Sequence, residues 1–306
     1  MQKIIKLQDV GFCYGVKRSI ELATRIATDP NIPRPIYLLG NLVHNRHITT
    51  YLSSIGIITL EKGTRLEMLD EIQQGTIIIT AHGVAPSVIE KARSKKLYIV
   101  DTTCPYVRKT FETMQQKINE DYDIIFIGKD NHPETEAAKE LSTRVHIISE
   151  LNRSLPLQKV LLCHQTTFSS YDIDTIYQEL LLSYPHLEKL DMVCKVTEKR
   201  QQALLNLQSH SFLSPALILV VGDPLSNNST KLVEMAKRIG KSDVLFVSRV
   251  EELDLDQLKL YQEIWITSGT STPSSIVDEI ERVLLELFSH HQPHTISQLH
   301  TDDYIK

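Results

Sequence analysis

Residues Leu97-Tyr98-Ile99-Val100-Asp101-Thr102-Thr103-Cys104-Pro105 run from an apolar stretch through a cysteine into a segment carrying Val107, Phe111, Met114 and Ile118. Spacings of 4, 3 and 4 put those four side chains on one face of a helix. The order is therefore strand, cysteine, helix. It recurs at Cys13, between Lys3-Ile4-Ile5-Lys6-Leu7 and the stripe Val16, Ile20, Ala23, Ile26. It recurs again at Cys194, between Met192-Val193 and a segment with Val196, Ala203, Leu204 and Leu207. The cysteines are about 90 residues apart, which marks a threefold repeat.

Each repeat continues alike. An apolar strand ends in glycine at Pro35-Ile36-Tyr37-Leu38-Leu39-Gly40, Asp123-Ile124-Ile125-Phe126-Ile127-Gly128 and Leu217-Ile218-Leu219-Val220-Val221-Gly222. Polar loops follow, beginning at Asn41, Lys129 and Asp223. A second apolar strand then ends in a small polar cluster: Ala81-His82-Gly83, His164-Gln165-Thr166-Thr167, and Ser268-Gly269-Thr270-Ser271. Short apolar strands alternating with helices predict parallel sheets covered on both faces. Ligands of such sheets bind beyond the carboxyl ends of the strands, where these loops lie. Three α/β domains are expected, over residues 1–103, 104–193 and 194–288. The aperiodic stretch 289–306, with His290, His291, His294 and His300, reads as a tail.

With 42% hydrophobic and 23% charged residues, the 306-residue chain has the composition of a soluble globular protein. A net charge of −5 argues against nucleic acid as a partner, because a phosphate-tracking surface leaves a basic excess. No apolar run is long enough for a membrane span. Four dispersed cysteines are not a secreted disulfide framework, so a cytoplasmic protein with reduced thiols is expected.

A thiol at a helix start meets the positive end of the peptide dipoles, so its pKa is expected to fall. Three such thiols cannot all pair as disulfides, and they lack the C-x-x-C spacing of structural zinc sites. Two possibilities remain: buried apolar cysteines, or ligands of a [4Fe–4S] cluster that keeps one iron free of protein. Cys163, inside an apolar strand, reads as core. The loops around the thiols offer His44, His82, His132, Glu134, Thr166, Thr167, Ser226, Asn228 and Ser271. Glu134, a loop carboxylate close to a histidine, is the candidate proton donor. Hydroxyls, amides, imidazoles and helix-start N–H groups together suit a phosphate. No P-loop or G-x-G-x-x-G occurs, which disfavours a nucleotide cofactor.

The chain resembles the 4-hydroxy-3-methylbut-2-enyl diphosphate reductase family over residues 4–288. The anchors are Gly11-Phe12-Cys13-Tyr14-Gly15-Val16, Val43-His44-Asn45, Ala81-His82-Gly83-Val84, Asp101-Thr102-Thr103-Cys104-Pro105 and His132-Pro133-Glu134. Further on come Gln165-Thr166-Thr167, Cys194 with Thr197 and Arg200-Gln201, Ser226-Asn227-Asn228-Ser229, and Gly269-Thr270-Ser271-Thr272-Pro273. The resemblance implies an α/β trefoil, three pseudo-threefold-related α/β/α domains around a central cluster site. It implies a [4Fe–4S] cluster on Cys13, Cys104 and Cys194, with one iron open to substrate. An allylic diphosphate would be reduced to isopentenyl and dimethylallyl diphosphate with electrons from ferredoxin or flavodoxin, ending the non-mevalonate isoprenoid route. Glu134 with Thr166 would relay protons. His44, His82, His132, Thr166, Thr167, Ser226, Asn227, Asn228 and Ser271 would bind substrate. Asn227 stands where the family usually has serine, Lys129 where histidine is common, and Val196 where alanine is usual. Two other functions fit three cysteines: an iron–sulfur lyase or synthase of quinolinate-synthase type, and a non-enzymatic cluster or zinc sensor. Turnover that depends on an external reductant separates the reductase from both.

Overall fold

The structure is a computed structural model describing residues 2–152, 156–191 and 194–289. Met192 and Val193, and the expected tail beyond Ser289, lie outside the described residues. The chain begins β1 (Lys3–Lys6), α1 (Tyr14–Thr28), β2 (Ile36–Leu39), α2 (Arg46–Ser54), β3 (Ile57–Leu60), α3 (Arg65–Asp70), β4 (Thr76–Ile79), α4 (Pro86–Ser94), β5 (Tyr98–Asp101). A second run holds α5 (Pro105–Asn119), β6 (Asp123–Ile127), α6 (Pro133–Leu141), β7 (Val145–Ile147), β8 (Val160–His164), α7 (Ser170–Leu181) and β9 (Glu188–Lys189). A third holds α8 (Lys195–Asn206), β10 (Ala216–Val221), α9 (Asn227–Ile239), β11 (Asp243–Val247), α10 (Leu255–Leu258), β12 (Glu263–Ser268) and α11 (Ser274–Ser289).

The strands form three four-stranded sheets in the orders β3-β2-β4-β5, β7-β6-β8-β9 and β11-β10-β12-β1, with every pairing parallel. The three orders are one permutation, so the repeat extends to topology. Lys3–Lys6 falls within the expected first domain, yet its backbone pairs with β12 of the third sheet, placing Ile5 opposite Trp265. The first strand of the chain thus completes the last sheet. Nothing local to residues 3–6 carries that information, because pairing is set by where β12 arrives. Each cysteine now has an equivalent place: it follows the fourth strand of one sheet and opens the first helix of the next unit.

The strands β4, β8 and β10 are buried along their whole length, which explains their unbroken apolar sequence. Each sheet has an apolar cluster on both faces: Ile36, Leu38 and Ile78 on one side of the first, Leu39, Leu69 and Ile77 on the other. Ile218 on β10 is wholly buried, and its replacement by alanine would cost about 2–5 kcal/mol. The edge strands β3, β7 and β11 had no clear signal, being short and partly exposed; Ile58 is 45% exposed. No helix among the described residues is long and apolar enough to cross a membrane.

Candidate active site

All three cysteines are helix N-caps: Cys13 of α1, Cys104 of α5 and Cys194 of α8. An N-cap side chain faces the free N–H groups of the first turn, and Cys13 Sγ accepts from Val16 N–H at 3.4 Å. Neighbouring units fix the backbone. The Cys13 N–H donates to Thr270 O at 3.1 Å and the Cys104 N–H to Ala81 O at 2.9 Å. At Gly15 a Cβ would lie 2.7 Å from Cys104 Sγ and 3.9 Å from Cys13 Sγ. Two sulfurs from different units therefore flank a space that any side chain at Gly15 would fill. Cys194 joins them, since its charge acts on both Cys13 and Cys104. Tyr106 is raised by burial and then by Cys194 and Cys104. Cys163 is fully buried in β8, as expected of a core residue.

For Cys104 and Cys13 the expected fall in pKa does not occur. Burial pushes Cys104 up to about 11, against the N–H groups of Tyr106 and Val107, and charge on Cys13 and Cys194 adds to the rise. Cys13 is raised as well, first by burial. A helix terminus contributes only about 0.3–1 kcal/mol, too little to offset desolvation and the mutual repulsion of clustered thiolates. A cationic metal group reverses that balance, because thiolates bind it and their protons leave. Three thiols at the starts of three helices, two of them costly to ionise unaided, fit such a group.

One residue away lies a polar network. His82 follows Ala81, and its Nδ1 is 3.2 Å from Glu134 Oε1. Glu134 Oε2 accepts from Thr166 N–H at 2.8 Å, and Oε1 accepts from Thr166 Oγ1 at 3.0 Å. His132 caps α6 by accepting the Glu134 N–H on Nδ1 at 3.2 Å, and meets His82 edge to face at 4.9 Å. Burial alone would raise the fully enclosed Glu134 carboxyl, but the His82 bond and the Thr166 N–H hold it below its ordinary value. His132 is pushed down to about 3, by burial first and then by His82. With Nδ1 accepting, its neutral ring carries the proton on Nε2. The ligand atoms of His82, His132 and Glu134 lie within 4.8 Å of one another, but existing hydrogen bonds already engage both Glu134 oxygens.

The third unit supplies a second group. Ser226 caps α9, accepts from Ser229 N–H at 3.4 Å and receives the Ser271 hydroxyl at 3.1 Å. Asn228 Oδ1 accepts from Thr270 N–H at 2.9 Å, while Asn228 Nδ2 is buried without a partner. His44 lies near both groups: burial lowers its pKa, His82 lowers it further, and Asp223 opposes. His44 Nδ1 is likewise buried and unpartnered. Such atoms cost about 1–3 kcal/mol each unless a ligand meets them, and an oxygen-rich anion would meet a donor of this kind. Thr167 and Asn227 stand at the rim. Thr167 Oγ1 accepts from Gln165 Nε2 at 2.7 Å, and Asn227 Oδ1 lies 3.5 Å from Lys129 Nζ. Two of the three departures from the family pattern therefore touch each other. Val196 is half-buried on α8.

Sequence reasoning missed Arg65. Its Nη1 pairs with Glu136 Oε2 at 3.1 Å, joining α3 to α6, and its charge acts on His44 and His132. It follows the Thr64 N-cap of α3, with no sequence feature of its own that points to the site.

A family model described as LytB protein matches residues 4–285. The chain is 38% identical over 298 residues to 4-hydroxy-3-methylbut-2-enyl diphosphate reductase of Geobacillus kaustophilus, covering 96% of this chain and 93% of that one. It is 40% identical over 285 residues to the protein of the same name from Macrococcus caseolyticus, covering 91% and 87%. Among solved structures it is similar to the E-1-hydroxy-2-methyl-but-2-enyl-4-diphosphate reductase of Plasmodium falciparum. That match has a TM-score of 0.81 and 31% identity, covering 93% of this chain and 88% of that one. It is also similar to a structure of (E)-4-hydroxy-3-methyl-but-2-enyl diphosphate reductase, the terminal enzyme of the non-mevalonate pathway. There the TM-score is 0.65 and the identity 25%, over 94% of this chain and 100% of that one.

Proposed function

The chain belongs to the LytB protein family, and from that premise we propose that it reduces 4-hydroxy-3-methylbut-2-enyl diphosphate to isopentenyl and dimethylallyl diphosphate. Two electrons and two protons replace the allylic C–O bond with C–H and release the oxygen as water. The reaction would be the terminal step of the non-mevalonate isoprenoid route in the cytoplasm, with ferredoxin or flavodoxin as donor. Cys13, Cys104 and Cys194 would hold a [4Fe–4S] cluster. When bound, such a cluster supplies single electrons and a Lewis-acidic iron without a protein ligand.

One observation carries this reading. The amides of Cys13 and Cys104 bond to Thr270 and Ala81, the residues immediately before Ser271 and His82. The thiols and the polar groups are thus parts of one construction. His44, His132, Ser226, Asn228 and Ser271 would bind the diphosphate through hydrogen bonds. His82 orients Glu134. While ionised, Glu134 holds the Thr166 hydroxyl as its donor. A bound diphosphate adds negative charge nearby, raising the proton affinity of Glu134. Once protonated, Glu134 donates to Thr166 Oγ1, so the hydroxyl turns and passes its own proton toward the allyl group while taking up the Glu134 proton. Thr167 and Asn227 would shape the entrance.

The test is an anaerobic assay of iron-loaded protein with the allylic diphosphate and reduced methyl viologen. Formation of both five-carbon products is expected. Iron-loaded protein that forms neither would overturn the proposal, and turnover without reductant would point to a lyase.

A further inference from the structure

We propose that Arg200 is a positioning residue of the thiol centre: it clamps the loop bearing Cys13 and keeps a fixed positive charge beside the cluster, making the cluster easier to reduce. This rests on the reading that the three thiols hold an iron–sulfur group.

Arg200, on α8, is 2% exposed and among the largest fully buried side chains among the described residues. Its Nη1 donates to Ser268 O at 2.8 Å and its Nη2 to Gly11 O at 2.5 Å. The Gly11 N–H donates to Ser268 Oγ at 2.8 Å, closing a ring of three residues from three segments. Gly11 has φ +86°, and a Cβ there would lie 3.0 Å from Ser274 Cβ, so the ring needs glycine at that corner. Two residues beyond the Gly11 and Ser268 corners, the Cys13 N–H meets Thr270 O. Gln201 ties the same turn of α8 to the second unit. Its Oε1 accepts from Ser170 N–H at 3.1 Å and its Nε2 donates to Phe168 O at 3.3 Å.

Carbonyl oxygens alone do not balance a guanidinium. Burying an ion without a counter-charge costs several kcal/mol. The negative groups that act on Arg200 are Cys13, Asp9 and Cys194, and Asp9 is exposed to water. Arg200 Nε is buried and has no partner. A donor without an acceptor, on a cation whose part-buried counter-charges are two of the three thiols, is matched by an anionic centre at those thiols. Reduction adds negative charge to that centre, and a nearby fixed cation stabilises the reduced form more than the oxidised one.

Redox titrations monitored by electron paramagnetic resonance on iron-loaded protein, without substrate, test the proposal. Arg200→Gln and Arg200→Met should lower the equilibrium constant for one-electron reduction at least tenfold, about 59 mV. Arg200→Lys should keep most of the wild-type potential. Ser268→Ala opens the ring but leaves the charge, so it should melt earlier at an unchanged potential. A wild-type potential in Arg200→Gln, or an equal shift in Ser268→Ala, overturns the proposal. If the uncharged variants lose iron while Arg200→Lys keeps it, the charge is still the cause. If Arg200→Lys and Ser268→Ala lose iron equally, Arg200 is a clamp alone and the proposal fails. Unchanged potentials in a protein that forms both products would spare the proposed function. Shifted potentials without turnover would do the reverse.

Discussion

Two histidine–glutamate pairs with buried carboxylates sit at opposite ends of their strands. His82 and Glu134 meet at 3.2 Å beyond the carboxyl ends, beside the thiols; His210 and Glu263 meet at 3.2 Å at the amino end of β12. Both glutamate side chains are only 2% exposed. The surroundings differ. Glu134 also holds a hydroxyl, Thr166 Oγ1, which can exchange a proton. Glu263 holds the Leu213 N–H at 2.7 Å, and His210 packs edge to face on Trp265 and Phe212. An amide proton and aromatic edges offer no exchange. A buried acid–imidazole contact is therefore either machinery or scaffold, depending on what else reaches the carboxylate.

The comparison breaks most readily through activity. Glu134→Gln should lower kcat by about 10²–10⁴-fold with iron content retained, while Glu263→Gln should leave kcat unchanged. Steady-state rates that rank the two variants the other way would end the distinction. Next in size is stability. Glu263→Ala strands the Leu213 N–H and His210, and should cost about 1–3 kcal/mol, read as a lower urea midpoint with normal turnover per iron.

Acid sharpens the contrast further. The unfolded chain protonates His132 near 6.5, whereas the folded chain resists until about 3. Over that window the unfolded state binds more protons, so stability falls as pH falls. Glu134 adds to this at lower pH: its folded pKa is depressed, so its contribution is complete above the unfolded carboxylate value and lost as pH drops through the folded one. Melting temperature should decline from about pH 6.5 downward. His132→Gln should flatten that decline, and an identical slope in the variant would remove His132 as its source. The smallest effect belongs to the rim. Asn227→Ser removes a loose contact to exposed Lys129, and should change KM by less than about fivefold, or about 1 kcal/mol.

Much of the fold was legible because buried parallel strands are written as continuous apolar runs, and β4, β8 and β10 obey that rule. The three cysteines could be placed at helix starts because a strand precedes Cys13 and Cys104 and a helical stripe begins just after each of the three. What escaped depended on closure of the ring. The sheet that β1 joins, the burial that reverses the thiol shift, and the Arg65–Glu136 bridge all arise between segments far apart in sequence. The residues of Glu134, Thr166 and His82 were readable one by one. Their mutual bonds were not, because three separate loops supply them.

The pairing of β1 with β12 has a consequence in time. Translation releases Cys13 long before Ser268 and Thr270, which anchor its loop. A nascent chain halted before residue 263 offers neither a partner strand for Lys3–Lys6 nor acceptors for the amides of Gly11 and Cys13. The space between the thiols is accordingly completed late in synthesis, and a ribosome stopped before residue 263 yields a product with no assembled receptacle rather than a weak one.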